Sequence, residues 1–302
     1  MKTYPYPTDP QGPIQWVSTE WVDDHRDDPN IDIVDAQPDI HDYLSEHLPG
    51  AVYFSERLLR VPHHGWPGNY VPEDVMHSLM CRIGLTPDHG VIVYTGRGVF
   101  RGWGDGLDQT MVAYSFARFG HRKVYLVDGG LDKWKEERRP LTRDFPNTED
   151  SEFPVQVHSE FFVDYEYVNR VKGHEDTQLI DVRPPDMYKG LSVWKKAGHI
   201  PGAINIPWYT VMDDDNPTLM KPDDEVREIF EDAGLDTSKH IIVYCGTGRE
   251  ATNPFTMLKW YFQCPSVKIY EGSFTEWASI PNSLTQIGPE PYEKRAPVSA
   301  IS

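Results

Sequence analysis

Residues 240–255 read HIIVYCGTGREATNPF, and residues 90–98, far upstream, read GVIVYTGRG. Each stretch runs apolar, mostly β-branched residues into a tyrosine, one small polar residue and a glycine. A short apolar run bounded by a glycine-rich turn describes a strand buried on both faces, as in a parallel sheet covered by helices. Cys245 and Thr95 then stand at the C-terminal ends of their strands, where open α/β sheets put their ligand sites.

The match extends outward from both stretches. The first half contains VSTEWV, IDIVDA, EHLPGAVYF, GVIVYTG and YLVDGGLDKW, and the second answers in order with VHSEFF, LIDVRP, GHIPGAINIPW, IIVYCG and IYEGSFTEW. Asp35 corresponds to Asp181, His47 to His199, Thr95 to Cys245, Asp128 to Glu271 and Trp134 to Trp277. Ordered matches at similar offsets identify a duplication. Amphipathic stretches such as EDVMHSLMCRIG and DDEVREIFEDAG alternate with the strand-like runs, so each half is expected to be α/β, a mostly parallel sheet flanked by helices. The proline-bearing, aperiodic RPLTRDFPNTEDSEFP separates them. The expected units are 1–145, a linker at 146–157, and 158–302.

Composition narrows the function. The chain has 302 residues, 39% hydrophobic and 25% charged, with a formal charge of −18, enough for two cores and unsuited to nucleic acid. An anionic substrate would need a locally positive pocket. The N-terminal MKTYPYPTDPQGP lacks the apolar core of a signal peptide and no stretch is long enough to span a bilayer, so the expectation is a cytoplasmic protein with no membrane partner. Cys81, Cys245 and Cys264 share no CxxC spacing, which supports neither a disulfide framework nor a zinc site.

Cys245 is followed by Gly246, Thr247 and Gly248, which permit a tight turn with backbone N–H groups facing inward. A helix is expected from about Ala251, with Pro254 in its first turn. Amides and a helix start around a thiol would lower its pKa and stabilise negative charge on an attached sulfur. A strand-end cysteine is more commonly just a small buried apolar residue, but the glycine-rich turn favours chemistry.

The motif order and the Cys-Gly-Thr-Gly-x-x-Ala loop resemble the tandem-domain rhodanese family, which includes thiosulfate and 3-mercaptopyruvate sulfurtransferases. The similarity runs from about residue 14 to about 280, most specifically through GHIPGAINIP, IIVYCGTG and EGSFTEW. It implies two rhodanese-like domains, the second catalytic. It also implies Cys245 as the nucleophile that takes sulfur from a donor and passes it, as a persulfide, to an acceptor such as cyanide, a reduced thiol or a thiol protein. No cofactor and no metal are implied. Residues 246 to 251, Gly246-Thr247-Gly248-Arg249-Glu250-Ala251, would stabilise the persulfide. Arg249, in the loop, and Arg183, at a matching family position, would bind the donor. Met187 stands where many members have a second arginine, and Arg249-Glu250 replaces Val-Thr. The preferred donor is thiosulfate, with 3-mercaptopyruvate the alternative. Glu250 would raise the thiol pKa if it pointed inward, so it is expected to turn away toward a basic group outside the loop.

Two other readings compete with this one. A dual-specificity-type phosphatase would need an arginine after five intervening residues, and position 251 is Ala. A non-enzymatic binding protein would not need to retain Cys245. In the first half, the enlarged loop after Thr95 fails the dinucleotide fingerprint, since residue 101 is Arg, and is expected to wall one side of the site, with Arg97 and Arg101 as solvated residues. The acidic run at Asp213, Asp214 and Asp215, the pair His63-His64 and the H-x-P-G-A histidines, His47 and His199, are read as structural or solvated.

Overall fold

The computed structural model describes residue 6, residues 12–100, residue 102 and residues 104–292. Arg101 lies outside the described residues. In the first half, β1 (Ile14–Val17), β2 (Ile31–Asp35) and β3 (Val52–Tyr53) precede a hairpin of β4 (Arg60–His63) and β5 (Trp66–Tyr70), followed by β6 (Gly90–Tyr94) and β7 (Val124–Val127). The second half contributes β8 (Phe162–Val163), β9 (Thr177–Asp181), β10 (Ala203–Asn205), β11 (His240–Tyr244) and β12 (Val267–Tyr270). Two five-stranded parallel sheets result, ordered β1-β7-β6-β2-β3 and β8-β12-β11-β9-β10. The order is the same in both, which is the duplication expressed as topology.

The central strands β6 and β11 have no polar side chain between their first residue and the closing tyrosine, and they are buried on both faces by helices. Their registers agree: Tyr94 lies opposite Asp35 and Tyr244 opposite Asp181. Each tyrosine hydroxyl then accepts a backbone N–H from the histidine-containing turn, Leu48 at 3.0 Å and Ile200 at 3.1 Å. His47 and His199 anchor those turns through Nδ1, at 2.7 Å from the Tyr43 carbonyl and 2.9 Å from the Tyr188 carbonyl, which fits the structural reading of both.

Residues 143–158 form no helix or strand, yet they are fixed along the first half. The amides of Ser151, Gln156 and His158 donate to the carbonyls of Cys81, Phe119 and Arg118, and Phe153 is buried. Among the described residues no helix is long and apolar enough to cross a membrane.

One apolar core runs through both halves. Its bridge is the helix Leu107–Arg118, buried on every side, which suits a helix sandwiched within a protein rather than lying on its surface. Tyr114 meets Phe255 edge to face with ring centroids 5.3 Å apart, and the hydroxyls of Thr110 and Thr252 lie 3.1 Å apart. Each half also reaches over the other. Glu271 accepts from Arg118 Nε at 2.7 Å and from Tyr114 at 2.7 Å, while its counterpart Asp128 accepts the Met220 amide at 2.8 Å. The strand-end loop of the second half is therefore positioned by the first.

Candidate active site

Cys245 follows β11 and is completely buried. Its amide donates to Ser273 Oγ at 3.1 Å and its carbonyl accepts the Phe274 amide at 3.0 Å, so the segment after β12 holds the backbone on both sides. The loop then turns back over the sulfur. The Gly248 amide donates to Sγ at 3.0 Å, and the amides of Thr247 and Ala251 act on the thiol in the same sense, favouring its charged form. Gly248 makes the turn possible: its φ is +88°, and a Cβ there would lie 2.5 Å from the Glu271 carbonyl oxygen. The cradle of amides expected from the glycines is present.

The expected acidic thiol is not. Burial pushes the Cys245 thiol far up from its ordinary range, and Glu250 adds to this through its charge and a hydrogen bond to the sulfur. Glu250 is thus turned inward, not outward. Its Oε2 is buried without a hydrogen-bond partner. The helix after the loop, Thr252–Thr256, spans only five residues before a π-helical turn at Met257–Tyr261, too little to offset that carboxylate.

Both arginines have other partners. Arg249 donates to Glu56 at 2.6 Å, Asp105 at 2.6 Å and Asp108 at 3.3 Å, all in the first half. Asp108, buried beside Glu56 and Asp105, is pushed up to about 7 even with Arg249 adjacent. The guanidinium ties the loop to the first half and is spent on carboxylates. Arg183 is 2% exposed, bonds Asp181 through Nε and Nη2 and the Gly198 carbonyl through Nη2, and lies 3.9 Å from the Phe274 ring centroid and 5.0 Å from that of Trp194. Only its Nη1 is buried and unpartnered. It contributes positive potential behind the loop but offers no exposed surface to a donor.

Thr247 is the exposed residue of the loop and lines a cavity of about 820 Å³. The opposite wall is the hairpin β4–β5 with Trp66, Asn69 and Tyr70. The enlarged loop of the first half does reach the site, through Asp105 on Arg249 rather than through Arg97. Asp213–Asp215 form a turn in which Asp213 accepts the amides of Asp215 and Asn216, and no metal-binding group was found among the described residues.

Sequence reasoning missed Ser273. It adopts a left-handed φ of +50°, unusual for a residue with a Cβ, and its hydroxyl receives the Cys245 amide while donating to the Tyr270 carbonyl at 2.8 Å. The signal was present in the repeat: the matching residue is Gly130, φ +53°.

A buried strand-end cysteine, wrapped by backbone amides in the second of two duplicated α/β halves, is the centre of the candidate site. The chain belongs to the rhodanese-like domain family, whose model matches residues 18–137 and 164–280, and it is a rhodanese-family sulfurtransferase. It is 32% identical over 288 residues to a Synechococcus elongatus protein named "Putative thiosulfate sulfurtransferase", covering 93% of this chain and 87% of the relative. It is also 32% identical over 287 residues to the "Sulfur carrier protein TtuD" of Thermus thermophilus, covering 87% and 93%. The solved structure of SseA from Escherichia coli, a 3-mercaptopyruvate sulfotransferase, superposes with a TM-score of 0.74 at 28% identity over 86% of this chain and 98% of that one.

Proposed function

We propose that the protein moves sulfane sulfur from thiosulfate to a thiophilic acceptor through a persulfide on Cys245. The observation that carries this reading is the loop itself: the sulfur is enclosed by the amides of Thr247, Gly248 and Ala251, with the Glu250 carboxylate beside it. Amides aimed at a sulfur stabilise charge there, and a persulfide is the charged species such a loop fits.

The inward carboxylate sets the order of events. At rest the loop holds the thiol, pushed up by burial, beside the Glu250 carboxylate. As Sγ attacks the outer sulfur of thiosulfate, its proton passes to Glu250, the donor S–S bond breaks, and sulfite leaves with the bonding pair. The loop then holds an anionic persulfide and a neutral carboxyl group, one negative charge as before. A nucleophile such as cyanide or a thiolate next takes the terminal sulfur, Sγ leaves as thiolate, and Glu250 returns the proton. Residue 250 thereby keeps the charge of a buried site constant, which avoids the cost of burying a second anion.

The Cys-Gly-Thr-Gly start of the loop and the likeness to SseA favour 3-mercaptopyruvate as the second candidate donor. The name of the Thermus relative favours a protein thiol as an acceptor in addition to small molecules. Steady-state turnover with each donor, cyanide as acceptor, tests the assignment: kcat/KM is expected to be higher for thiosulfate and absent in Cys245→Ser. Turnover that survives Cys245→Ser would refute it.

A further inference from the structure

With Arg249 engaged by three carboxylates and Arg183 sealed behind the loop, neither arginine of the second half named above is open to an anion beside Cys245. The surroundings are unfavourable to an anion: Glu56, Asp105 and Asp108 share a single guanidinium, and the chain carries a formal −18. A dianionic donor approaching this loop needs a positive group that is not already paired.

The first half supplies one. Arg60 opens β4, and its Nη1 donates to the Thr247 carbonyl, within the loop that encloses the sulfur. One residue therefore links the two groups, since the Thr247 amide faces Sγ while its carbonyl meets Arg60. No ion pair or second hydrogen bond to Arg60 is formed among the described residues, so one of the five N–H groups of the guanidinium is used. The guanidinium lies beside the hairpin's other strand, where a Cβ at Gly68 of β5 would be in ordinary contact, 3.6 Å from Nη1. The cavity beside Thr247 is walled by the same hairpin.

We propose that Arg60 binds the charged head of the sulfur donor, a sulfonate or carboxylate group, so that the half lacking a nucleophile supplies the selectivity for anions. The proposal rests on the sulfurtransferase reading above for the identity of the ligand, but not for the existence of the site. A planar guanidinium with free N–H groups is suited to a two-point contact with either head group, while the bond to Thr247 fixes its position. The loop's own arginine fastens the two halves, and the donor is read by the partner half.

Alkylation of Cys245 by iodoacetate, which is anionic, and by iodoacetamide, which is neutral, tests this without any sulfur transfer. Both rates are followed at the peptide containing residue 245 in wild type, Arg60→Gln and Arg60→Lys. Arg60→Gln is expected to lower the iodoacetate-to-iodoacetamide rate ratio about tenfold, with Arg60→Lys recovering part of it, and to raise KM for thiosulfate with kcat little changed. An unchanged ratio, or equal acceleration of both reagents, would overturn the proposal and leave Arg60 as a clasp over the loop. A normal ratio effect combined with no sulfur transfer would instead refute the transfer reading and keep the anion site. Matching thermal midpoints for the three proteins establish that the comparison is made on folded chains.

Discussion

The two halves carry the same frame with different groups at three positions. Asp35 and Asp181 lie opposite matching tyrosines, Tyr94 and Tyr244, but Asp35 is held by the amide and side chain of Gln37, and Asp181 by the amide and side chain of Arg183. Thr95 stands where Cys245 does, with its hydroxyl committed to the Ala36 carbonyl at 3.0 Å and its amide to Gln109. Gly130 stands where Ser273 receives the Cys245 amide, and Leu131 donates to the Thr95 carbonyl just as Phe274 does to that of Cys245. The scaffold alone therefore does not make a site. What distinguishes the second half is a buried cation under the loop, a thiol at the strand end and a hydroxyl to hold its amide.

The largest effect should come from moving the nucleophile. A Thr95→Cys, Cys245→Ser double variant places a cysteine on the same kind of strand end without those supports, and it is expected to show no turnover with thiosulfate. Turnover above the Cys245→Ser background would mean that the frame suffices.

Glu250→Gln is expected to act in opposite directions on two measurements. Removing the carboxylate should lower the pH midpoint of Cys245 alkylation, because Glu250 now raises it, while loss of the proton acceptor should lower kcat about a hundredfold. A fall in both reactivity and turnover would point to simple distortion of the loop.

Arg183→Gln gives the second half the pairing of the first. Burial pushes Asp35 up to about 6 despite its hydrogen bonds from Tyr94 and Gln37. A carboxyl whose folded pKa is raised stabilises the fold below its unfolded pKa of about 3.9, and that contribution is lost as pH rises through the folded value. Arg183→Gln leaves a buried carboxyl in that same setting without its cation, so the variant is expected to fold near pH 4 and to lose stability relative to wild type toward pH 7.5. Denaturant titrations at the two pH values provide the check, and a pH-independent deficit would contradict the equivalence of the halves.

The smallest expected effect concerns the carboxylates around Arg249. Asp108, pushed up to about 7, likewise stabilises the fold at low pH and loses that contribution as pH rises through its folded value. Asp108→Asn should therefore be more stable relative to wild type at pH 8 than at pH 5, by roughly 2.5 kcal/mol. Thermal midpoints at both pH values would show it.

The sheets, their duplication and the position of Cys245 were legible in the sequence because each rests on short-range pattern: β-branched runs, glycine turns and a repeat that can be counted. What could not be read were the partners of the charged residues. Arg249 meets Glu56, Asp105 and Asp108 across 141 to 193 residues of chain, and Arg60 meets Thr247 across 187. Such pairings follow from how the halves dock, which no local spacing encodes. Glu250 was misjudged for a related reason. Electrostatics argues for turning it away from a thiolate, whereas burial pushes the thiol up and so favours the uncharged form beside which a carboxylate is tolerated. Ser273 was within reach, since comparison with Gly130 exposes a serine where the backbone asks for glycine.

The central claim is that sulfane sulfur is carried on Cys245. Intact-mass and peptide-mass analysis after treatment with thiosulfate tests it most directly. The account predicts a single added sulfur atom on the peptide containing Cys245, discharged by cyanide and absent from Cys245→Ser. Sulfur found on Cys81 or Cys264, or no adduct with thiosulfate, 3-mercaptopyruvate or polysulfide, would contradict it.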